Sequence, residues 1–508
     1  MLFRECFRKV FSWTTQTNTS FGTRYVGIRL CTINCFAYDR RDTTICALSS
    51  GHGKCGVAVV RISGNRSMEA LKRMTNTSNL EPRKALLRKI HDPETKEVID
   101  KGLCLWFPGP HSFTGEDSVE FHVHGGLAIL TRLMQALKKL QIYPAWPGEF
   151  TRRAFYNNKV DLTEVEGLAD LIEAETEYQR KQALLQADGV LHRLYDSWRK
   201  ILAESVANIE AYIDFSEEDN IESNVVQNAH QALRKLIQDL EKHLTDGRRG
   251  EILRSGVRTA IIGEPNVGKS SLLNHLVQRN AAIVTPIAGT TRDIIELNTN
   301  ISGYPVLIAD TAGITENIED IVEVEGVRRA KNYAENADLV IVVADAFKCA
   351  TSGKIYKEYI REYLSSLGIE ELLTKIGKKR FIILMNKGDL LKKEHKRQLN
   401  NAEAVLISCK TEDGFCDLLQ SLTDRFNNIC GNPSAENPTI SQARHRNHLT
   451  LCLKHLYRYF ELCANEQYDM AIATEEIHKA MRELGKITGH VSTNEILDII
   501  FKNFCIGK

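Results

Sequence analysis

The sequence predicts a multidomain fold that combines α/β and all-α parts, because three long stretches differ in their hydrophobic pattern. Residues 43–156 mix strand and helix patterns, whereas residues 161–243 repeat apolar residues at the three- and four-residue steps of a helix. Residues 254–427 alternate short apolar runs with helical segments, which is typical of a parallel sheet with helices on both faces. A chain of 508 residues is long enough for about three domains of ordinary size.

The composition is that of a globular protein with an almost balanced charge: 43% hydrophobic, 26% charged and a formal net charge of +1. A nucleic-acid partner would therefore have to meet local basic patches. The most apolar run, Leu339–Ala344, is far shorter than the roughly 20 residues of a bilayer-spanning helix, so no membrane span is predicted. The 13 cysteines form no C-x-x-C pair, which favours a reduced compartment over a disulfide scaffold.

The first 38 residues are basic, rich in serine and threonine, and contain Glu5 as their one acidic residue. This pattern is typical of a mitochondrial transit peptide, with an ordinary polar tail as the alternative. We therefore expect the protein in the mitochondrial matrix.

The following α/β stretch contains two strand patterns, Val57–Ile62 and Val119–His124, and a helix pattern, Leu127–Leu140, after two glycines. His122 and His124 share one strand face, but no further ligand is near in sequence, so a metal site is disfavoured.

The helical stretch has an apolar face, and we interpret its repeating residues as core positions rather than as a cofactor site. They are Leu162, Val165, Leu168, Ile172, Leu184 and Leu191. After Gly431-Asn432-Pro433 the chain returns to helix patterns at Leu449–Cys463 and Thr474–Leu484. The simplest arrangement is an α/β domain inserted into a helical domain.

The strongest motif is Gly263–Ser270, which follows a predicted strand and matches the phosphate-binding P-loop G-x-x-x-x-G-K-S/T. Its glycines let backbone N–H groups converge on phosphate oxygens at the positive end of the next helix. Lys269 would reach the β- and γ-phosphates, and the Ser270 hydroxyl would bind Mg²⁺.

Three further motifs follow in order, and together they indicate GTP. Asp310–Gly313 closes a strand, which suits Asp310 for the Mg²⁺ shell and Gly313 for the γ-phosphate. Asn386–Asp389 closes another strand, and its carboxylate can accept two hydrogen bonds from guanine that adenine does not offer together. Ser408–Lys410 resembles the loop that completes guanine recognition.

The position after Gly313 holds Ile314, where Ras-like enzymes use a glutamine to orient the attacking water. Isoleucine cannot do this, and no arginine finger is evident. Asn266 in the P-loop and the oxygen-rich segment Thr285–Asp293 could instead hold a monovalent cation between the phosphates.

With these motifs the chain resembles the MnmE (TrmE) family of tRNA-modification GTPases, in its mitochondrial form. The resemblance covers nearly everything after the targeting segment. The matching segments are Arg61–Gly64, Phe107–Pro110, Ser112–Asp117, His124–Gly126, Pro147–Phe150, Thr151–Phe155, Ile287–Asp293 and Cys505–Lys508.

The resemblance implies a multidomain α/β and all-α fold with an N-terminal folate-binding domain and a Ras-like P-loop G domain inserted into a helical domain. The expected divisions are 1–38 for the transit peptide, 39–158 for the folate-binding domain, 159–252 for the first helical part, 253–430 for the inserted G domain and 431–508 for the last helical part.

The resemblance also implies a GTPase that K⁺ activates and whose G domains dimerise across the nucleotide. The expected GTP-binding residues are Gly263, Asn266, Val267, Gly268, Lys269, Ser270, Ser271, Thr285, Gly289, Thr290, Asp310, Gly313, Asn386, Lys387, Asp389, Ser408, Cys409 and Lys410. The K⁺ ligands would be Asn266, Thr285, Ile287 and Thr290, and Thr291 would join Ser270 on Mg²⁺. Lys269 would be catalytic, and Glu323 would orient the water, with Glu325 as the alternative.

A tetrahydrofolate derivative is the one-carbon donor in this family, and its expected contacts here are Arg61, Glu120, Lys159 and Lys508. A carboxylate suits pterin N–H donors, and cations suit the glutamate tail. Cys505 is expected beside the folate as a catalytic thiol, with a packing role as the alternative. A C-a-a-X prenylation box is disfavoured because lysine is not a usual final residue.

The implied partners are tRNA, a second copy of the chain and the FAD-dependent MnmG (GidA) protein. The implied product is an aminomethyl-type uridine at the tRNA wobble position, such as taurinomethyl- or carboxymethylaminomethyluridine. Two other classes carry similar G-domain motifs. A ribosome-assembly GTPase would have an RNA-binding appendage instead of a folate-type domain, and a non-hydrolysing folate binder would not need intact Lys269, Ser270 and Asp310.

Overall fold

Two six-stranded sheets and a helical bundle make up the secondary structure described by the computed structural model. The residues described are 43–51, 53–78, 80–215, 224–279, 296–309, 333–370, 380–400, 404–464, 469–491, 497, 498, 500, 501, 504 and 507. No helix in these ranges is long and apolar enough to cross a bilayer.

The N-terminal sheet has the strand order β3-β4-β5-β2-β1-β6. Its strands are β1 Ile45–Leu48, β2 Cys55–Ser63, β3 Leu86–His91, β4 Val98–Phe107, β5 Ser118–Gly125 and β6 Tyr143–Pro144. Its pairs are antiparallel except β1–β6. The helices α1 (Ser67–Thr75) and α2 (Leu127–Lys139) pack on one face, where Val60 and Phe121 are fully buried. Because side chains alternate along a strand, their neighbours Arg61 and Glu120 lie on the other face.

Five further helices precede the second sheet: α3 Glu149–Tyr156, α4 Leu162–Glu173, α5 Glu177–Ala187, α6 Val190–Phe215 and α7 Asn224–Leu244. A short helix, α8 Arg249–Ser255, leads into that sheet. Capping boxes start α4 and α5, with Asp161 and Thr176 as the respective N-caps. These caps explain why two separate helices form from one continuous run of helix-forming residues.

Two of the six positions interpreted as core are exposed, which corrects that prediction. Ile172 is 40% and Leu184 is 39% exposed. The apolar stripe of α4 begins at Leu162 against Phe501 and runs past that cluster before it reaches Ile172. In α5 the buried face is a different one, and Gln186 on it donates to the Thr163 carbonyl.

The second sheet has the order β12-β11-β10-β7-β9-β8 and is parallel except for the antiparallel pair β8–β9. Its strands are β7 Val257–Ile262, β8 Glu296–Ile301, β9 Tyr304–Ala309, β10 Leu339–Asp345, β11 Phe381–Asn386 and β12 Val405–Leu406. The helices around it are α9 Lys269–Arg279, α10 Ala346–Thr351, α11 Tyr356–Ser366, α12 Lys393–Asn400 and α13 Phe415–Cys430.

Both faces of this sheet are covered, as the sequence predicts. Strand β10 is buried throughout, and its alternate residues join two separate apolar clusters: Ile341 packs with Phe415, whereas Val342 packs with Tyr363. The antiparallel β8 was not predicted. Ser302 and Gly303 both have positive φ angles, which is the geometry of a two-residue hairpin turn.

The two last helices, α14 (Ala443–Cys463) and α15 (Met470–Thr488), pack with α6 and α7. Leu202, Leu233 and Ile477 are fully buried in their shared core. Helices before and after the second sheet thus form one bundle, which confirms that the P-loop domain is inserted. The multidomain α/β and all-α class is likewise confirmed.

Candidate functional site

The P-loop joins the end of β7 to the start of α9, and two of its glycines are required by close contacts. A Cβ on Gly263 would lie 2.3 Å from the Val343 carbonyl oxygen. A Cβ on Gly268, whose φ is +98°, would lie 2.2 Å from Asn386 Nδ2. Lys269 Nζ donates to the carbonyl oxygens of Gly263 at 3.0 Å and Glu264 at 2.8 Å. The loop therefore has the tight backbone path that lets N–H groups surround a phosphate.

Asn386 connects the P-loop to the base-recognition loop. Its Nδ2 donates to the Val267 carbonyl at 2.8 Å, and its Oδ1 accepts from the Cys409 N–H at 3.1 Å. The residue is only 3% exposed. A buried amide that uses both of its polar ends holds two loops in one arrangement.

The base end is organised around Ser408. Its hydroxyl donates to Asp389 Oδ1 at 2.7 Å and accepts from the Lys410 and Thr411 N–H groups at 3.3 and 3.2 Å. Burial raises the pKa of the neighbouring Cys409 thiol to about 11, so that thiol is neutral at physiological pH. A fixed carboxylate beside neutral groups suits the two N–H donors of guanine.

Lys387 pairs with Asp345, the last residue of β10, through an Nζ–Oδ2 distance of 2.8 Å. Burial by itself raises the pKa of the Asp345 carboxyl, but hydrogen bonds from Lys387 and two backbone N–H groups hold that pKa below its usual range. The same carboxylate caps α10 by accepting from the Phe347 and Lys348 N–H groups. It thus orients the lysine of the Asn386–Asp389 motif.

Tyr363 supports the P-loop, and the sequence did not reveal it. Its hydroxyl donates to the Val343 carbonyl at 2.7 Å and accepts from the Glu264 N–H at 2.9 Å. The Glu264 side chain also pairs with Lys348 at 3.0 Å. Tyr363 belongs to no sequence motif, so no signal in the sequence could have indicated this support.

The other predicted residues of this site divide into two groups. Asn266, Ser270 and Ser271 are exposed on the P-loop and the first turn of α9, and Asn266 has a left-handed φ of 61°. The predictions for Thr285, Ile287, Gly289, Thr290, Thr291, Asp310, Gly313 and Glu323 (or Glu325) lie outside the described residues, as does the targeting segment 1–38.

A second polar cluster lies on the face of the N-terminal sheet opposite α1 and α2. Arg61 and Glu120 are direct cross-strand partners, and Arg61 Nε and Nη2 each lie 3.0 Å from Glu120 Oε1. The Arg61 guanidinium also lies 5.8 Å from the ring centre of Phe113 and 6.0 Å from that of Phe150. His122 Nε2 contacts Glu120 Oε2 at 3.2 Å. The cluster thus combines a cation, a carboxylate and aromatic surface.

Arg153 of α3 fixes the framework beside this cluster. It is 5% exposed and pairs with Glu116 at 3.0 Å and Glu149 at 3.1 Å. Glu116 also accepts from the Ser63 hydroxyl at 2.6 Å, two residues along β2 from Arg61. The sequence motifs contain these residues, but only the fold shows that they form one network.

Lys159 is exposed in the turn after α3, and in the described part of the chain it makes no ion pair with Glu120. Lys508 and Cys505 lie outside the described residues. Their neighbour Gly507 packs against β1, where its carbonyl accepts from the Ser49 hydroxyl at 3.0 Å. The end of the chain therefore reaches the N-terminal sheet.

The two histidines on β5 bind different partners. His124 Nδ1 lies 2.9 Å from Asp100, whereas His122 contacts Glu120. Among the described residues, no group of three or more His, Cys, Asp or Glu side chains could hold a metal ion.

Comparison with known proteins covers both domains that flank the nucleotide site. The family model for the TrmE N-terminus, described as a GTP-binding protein, matches residues 44–159, and that for the MnmE helical domain matches residues 162–505. The mitochondrial 5-taurinomethyluridine-tRNA synthase subunit GTPB3 of Danio rerio is 48% identical over 476 residues, which are 92% of this chain and 93% of that protein.

Its counterpart in Homo sapiens is 44% identical over 98% of this chain and 99% of that protein. The tRNA modification GTPase MnmE of Rickettsia bellii (strain RML369-C) is 44% identical over 92% of this chain and 100% of that protein. Together with the P-loop geometry, these matches show that the chain belongs to the MnmE (TrmE) family.

Proposed function

We propose that this chain is the GTP-hydrolysing subunit of an enzyme that modifies C5 of the wobble uridine in mitochondrial tRNA. One observation supports the proposal most. The P-loop is hydrogen-bonded through Asn386 to the guanine-recognition loop, in a chain that matches a named taurinomethyluridine synthase subunit over 92% of its length. The product is an aminomethyl-type uridine, which is taurinomethyluridine in the named relatives.

GTP binding and hydrolysis use the residues around α9. Lys269 neutralises the β- and γ-phosphates, and the exposed Ser270 hydroxyl at the start of α9 is suited to Mg²⁺, with Thr291 and Asp310 completing that site. Mg²⁺ supplies charge neutralisation of the phosphates. Glu323, or failing that Glu325, orients the attacking water, since Ile314 cannot.

Asn266 is proposed as a ligand of K⁺, together with Thr285, Ile287 and Thr290. Its support is that the residue is exposed on the P-loop in a left-handed conformation that asparagine tolerates better than most residues. K⁺ would supply the positive charge that an arginine finger supplies elsewhere.

This assignment predicts that GTP hydrolysis is at least about 10-fold faster in K⁺ than in Na⁺, the effect of losing one charge-stabilising contact. Hydrolysis is measured at equal ionic strength, and Asn266→Ala should remove the difference while GTP binding persists. Equal rates in the two salts would contradict the K⁺ site.

The face of the N-terminal sheet that carries Arg61 and Glu120 is proposed to bind a tetrahydrofolate derivative, which supplies the one-carbon unit. Glu120 would accept from pterin N–H groups, and Arg61, Lys159 and Lys508 would hold carboxylates of the tail. The aromatic rings beside Arg61 support this assignment, because they offer stacking surface next to charge. Cys505 is proposed as a thiol at this site.

The remaining proposals concern the partners of the chain, its location in the cell and its domain boundaries. The chain would act as a homodimer with an FAD-dependent MnmG (GidA) partner, in the mitochondrial matrix, and the domain divisions after residues 38, 158, 252 and 430 stay predictions. The names of the animal relatives include "mitochondrial", which supports the location.

The proposed function is tested on mitochondrial tRNA from cells without this protein, restored with the unaltered chain or with Lys269→Ala. Mass spectrometry of the nucleosides should show that the C5-modified wobble uridine is lost, is restored by the unaltered chain and is not restored by the variant. Unchanged nucleosides in the cells without the protein would refute the function.

A further inference from the structure

Tyr178, a residue of the helical domain, is packed into the P-loop domain. Its ring stacks on Tyr304 of β9, with 4.1 Å between ring centres and 17° between ring planes. Tyr304 is 1% exposed and packs in turn against Phe426 of α13. Tyr178 is thus a partly buried residue that packs against the apolar core of a domain other than its own.

The backbone beside this ring pair also makes close contacts between α5 and the β8–β9 turn. The Tyr178 N–H donates to the Gly303 carbonyl at 3.2 Å. Gly303 has a φ of +88°, and a Cβ there would lie 3.2 Å from the Tyr178 ring. The N-terminus of α5 thus holds the β8–β9 turn by one hydrogen bond and one ring face.

The β8–β9 hairpin has a special place in the P-loop domain. Strand β8 starts three residues after the segment Thr285–Asp293 ends, and β9 ends directly before Asp310. Those are the two segments that the sequence assigns to γ-phosphate and cation recognition. A displacement of either segment on nucleotide exchange would act directly on this hairpin.

Elsewhere the seam between α5 and the P-loop domain is polar and loosely filled. A cavity of about 180 Å³ lies there, lined by residues of α4, α5 and α8. Arg254 crosses the seam to Asp170 at 2.7 Å, and its carbonyl accepts from Gln179 at 3.0 Å. The stacked rings of Tyr178 and Tyr304 add an apolar contact beside these polar ones.

We infer that Tyr178 is a positioning residue that couples the nucleotide site to the helical bundle. The bound nucleotide sets the position of the β8–β9 hairpin, and the Tyr178–Tyr304 stack passes that position to α5. This inference rests on the proposed GTPase function. Because coupling is reciprocal, the same stack must also change the preference of the P-loop for GTP over GDP.

The test measures the affinities of the full chain for GDP and for a non-hydrolysable GTP analogue. Tyr178→Ala removes the ring, Tyr178→Phe keeps it, and Tyr457→Ala removes a 42%-exposed tyrosine of α14 as a matched control. The ratio of the two affinities should change by about 2- to 10-fold in Tyr178→Ala, the factor that a stacked aromatic pair supplies. It should stay unchanged in the other two variants.

A purely structural role for Tyr178 would weaken both affinities equally or leave both alone, and an unchanged ratio would overturn the inference. If Tyr178→Ala does not fold, Tyr178→Leu fills most of the volume without a ring and is compared with Tyr178→Phe.

Hydrogen exchange over residues 177–187 gives a second measurement. It should differ between the GDP and GTP-analogue states of the unaltered chain, and this difference should be lost in Tyr178→Ala. A chain that hydrolyses GTP but shows no difference over α5 refutes the coupling and leaves the proposed function intact. Failure of the unaltered chain to bind GTP refutes both.

Discussion

The nucleotide site and the Arg61–Glu120 cluster are built in opposite ways. In the nucleotide site, the polar groups lie at the ends of strands and in the loops that follow them, and Asn386, at the end of β11, ties the P-loop after β7 to the loop after β12 through backbone atoms. In the N-terminal sheet, the polar groups stand in the middle of strands and meet side chain to side chain. We therefore expect the nucleotide site to tolerate changes in surface residues and the network around Arg61 and Glu120 to depend on each partner.

Arg153→Ala tests that dependence and should have the largest effect. It leaves Glu116 and Glu149 without their cation in a largely buried place, at a cost of about 3–5 kcal/mol in stability. Hydrogen exchange in β2 and β5 should rise accordingly, while GTP affinity should stay unchanged. Arg73→Ala is the control, because its pair with Glu69 is exposed and contributes at most about 1 kcal/mol.

A clear loss of GTP affinity in Arg153→Ala, together with faster hydrogen exchange in β2 and β5, would contradict this contrast between the two sites. That outcome would mean that the two sites share one folding unit.

Gly268→Ala is the matching test for the backbone-built site. The new Cβ would lie 2.2 Å from Asn386 Nδ2, so either the P-loop or the Asn386 side chain that bonds to it must move. Gly353→Ala is the control: its φ of +69° carries the same left-handed strain, but no atom lies within 4 Å of its Cβ. Overpacking of this size predicts a GTP affinity about 10- to 100-fold lower in Gly268→Ala than in the control.

Titration with a fluorescent guanine nucleotide measures the two affinities. Similar values for the two glycine variants would show that the tie through Asn386 does not shape the loop.

The sequence predicted one of these sites far better than the other. The strands β7 and β11 each end where a predicted motif begins, so the order of residues along the chain was enough to predict these parts of the site. Tyr363 was missed because it supports Glu264 from 99 residues away and belongs to no motif. Arg61 and Glu120 were named only through family resemblance, since their contact depends on strand register across 59 residues.

The same reasoning explains the errors in the core prediction. Periodicity shows that α4 and α5 have apolar faces, but not which neighbour covers each face. In α5 the buried face carries Gln182 and Gln186, whose amides bond to the backbone carbonyls of Gly250 and Thr163. Hydrophobic spacing cannot predict burial that depends on such distant hydrogen bonds.

Glu120→Gln tests the proposed folate site with a change of charge but not of shape. It removes the negative charge that pairs with Arg61 and replaces one of the two acceptor oxygens proposed for pterin N–H groups by an N–H donor, which should weaken tetrahydrofolate binding by about 10-fold. Isothermal titration calorimetry of the full chain measures this, with the exposed Glu97→Gln as control. Unchanged folate affinity would remove Glu120 from the site, and GTP affinity should be unaffected in either variant.

Lys348→Ala should have the smallest effect of these substitutions, because it changes only a surface side chain beside the P-loop. Lys348 pairs with Glu264 of the P-loop at 3.0 Å, but its side chain is 57% exposed. An exposed ion pair contributes about 0–1 kcal/mol, so GTP affinity should change by no more than about 5-fold and less at high salt. Nucleotide titration at two salt concentrations checks both expectations. A loss as large as that of Gly268→Ala would mean that surface side chains, and not backbone ties through Asn386 and Tyr363, hold the phosphate loop in place.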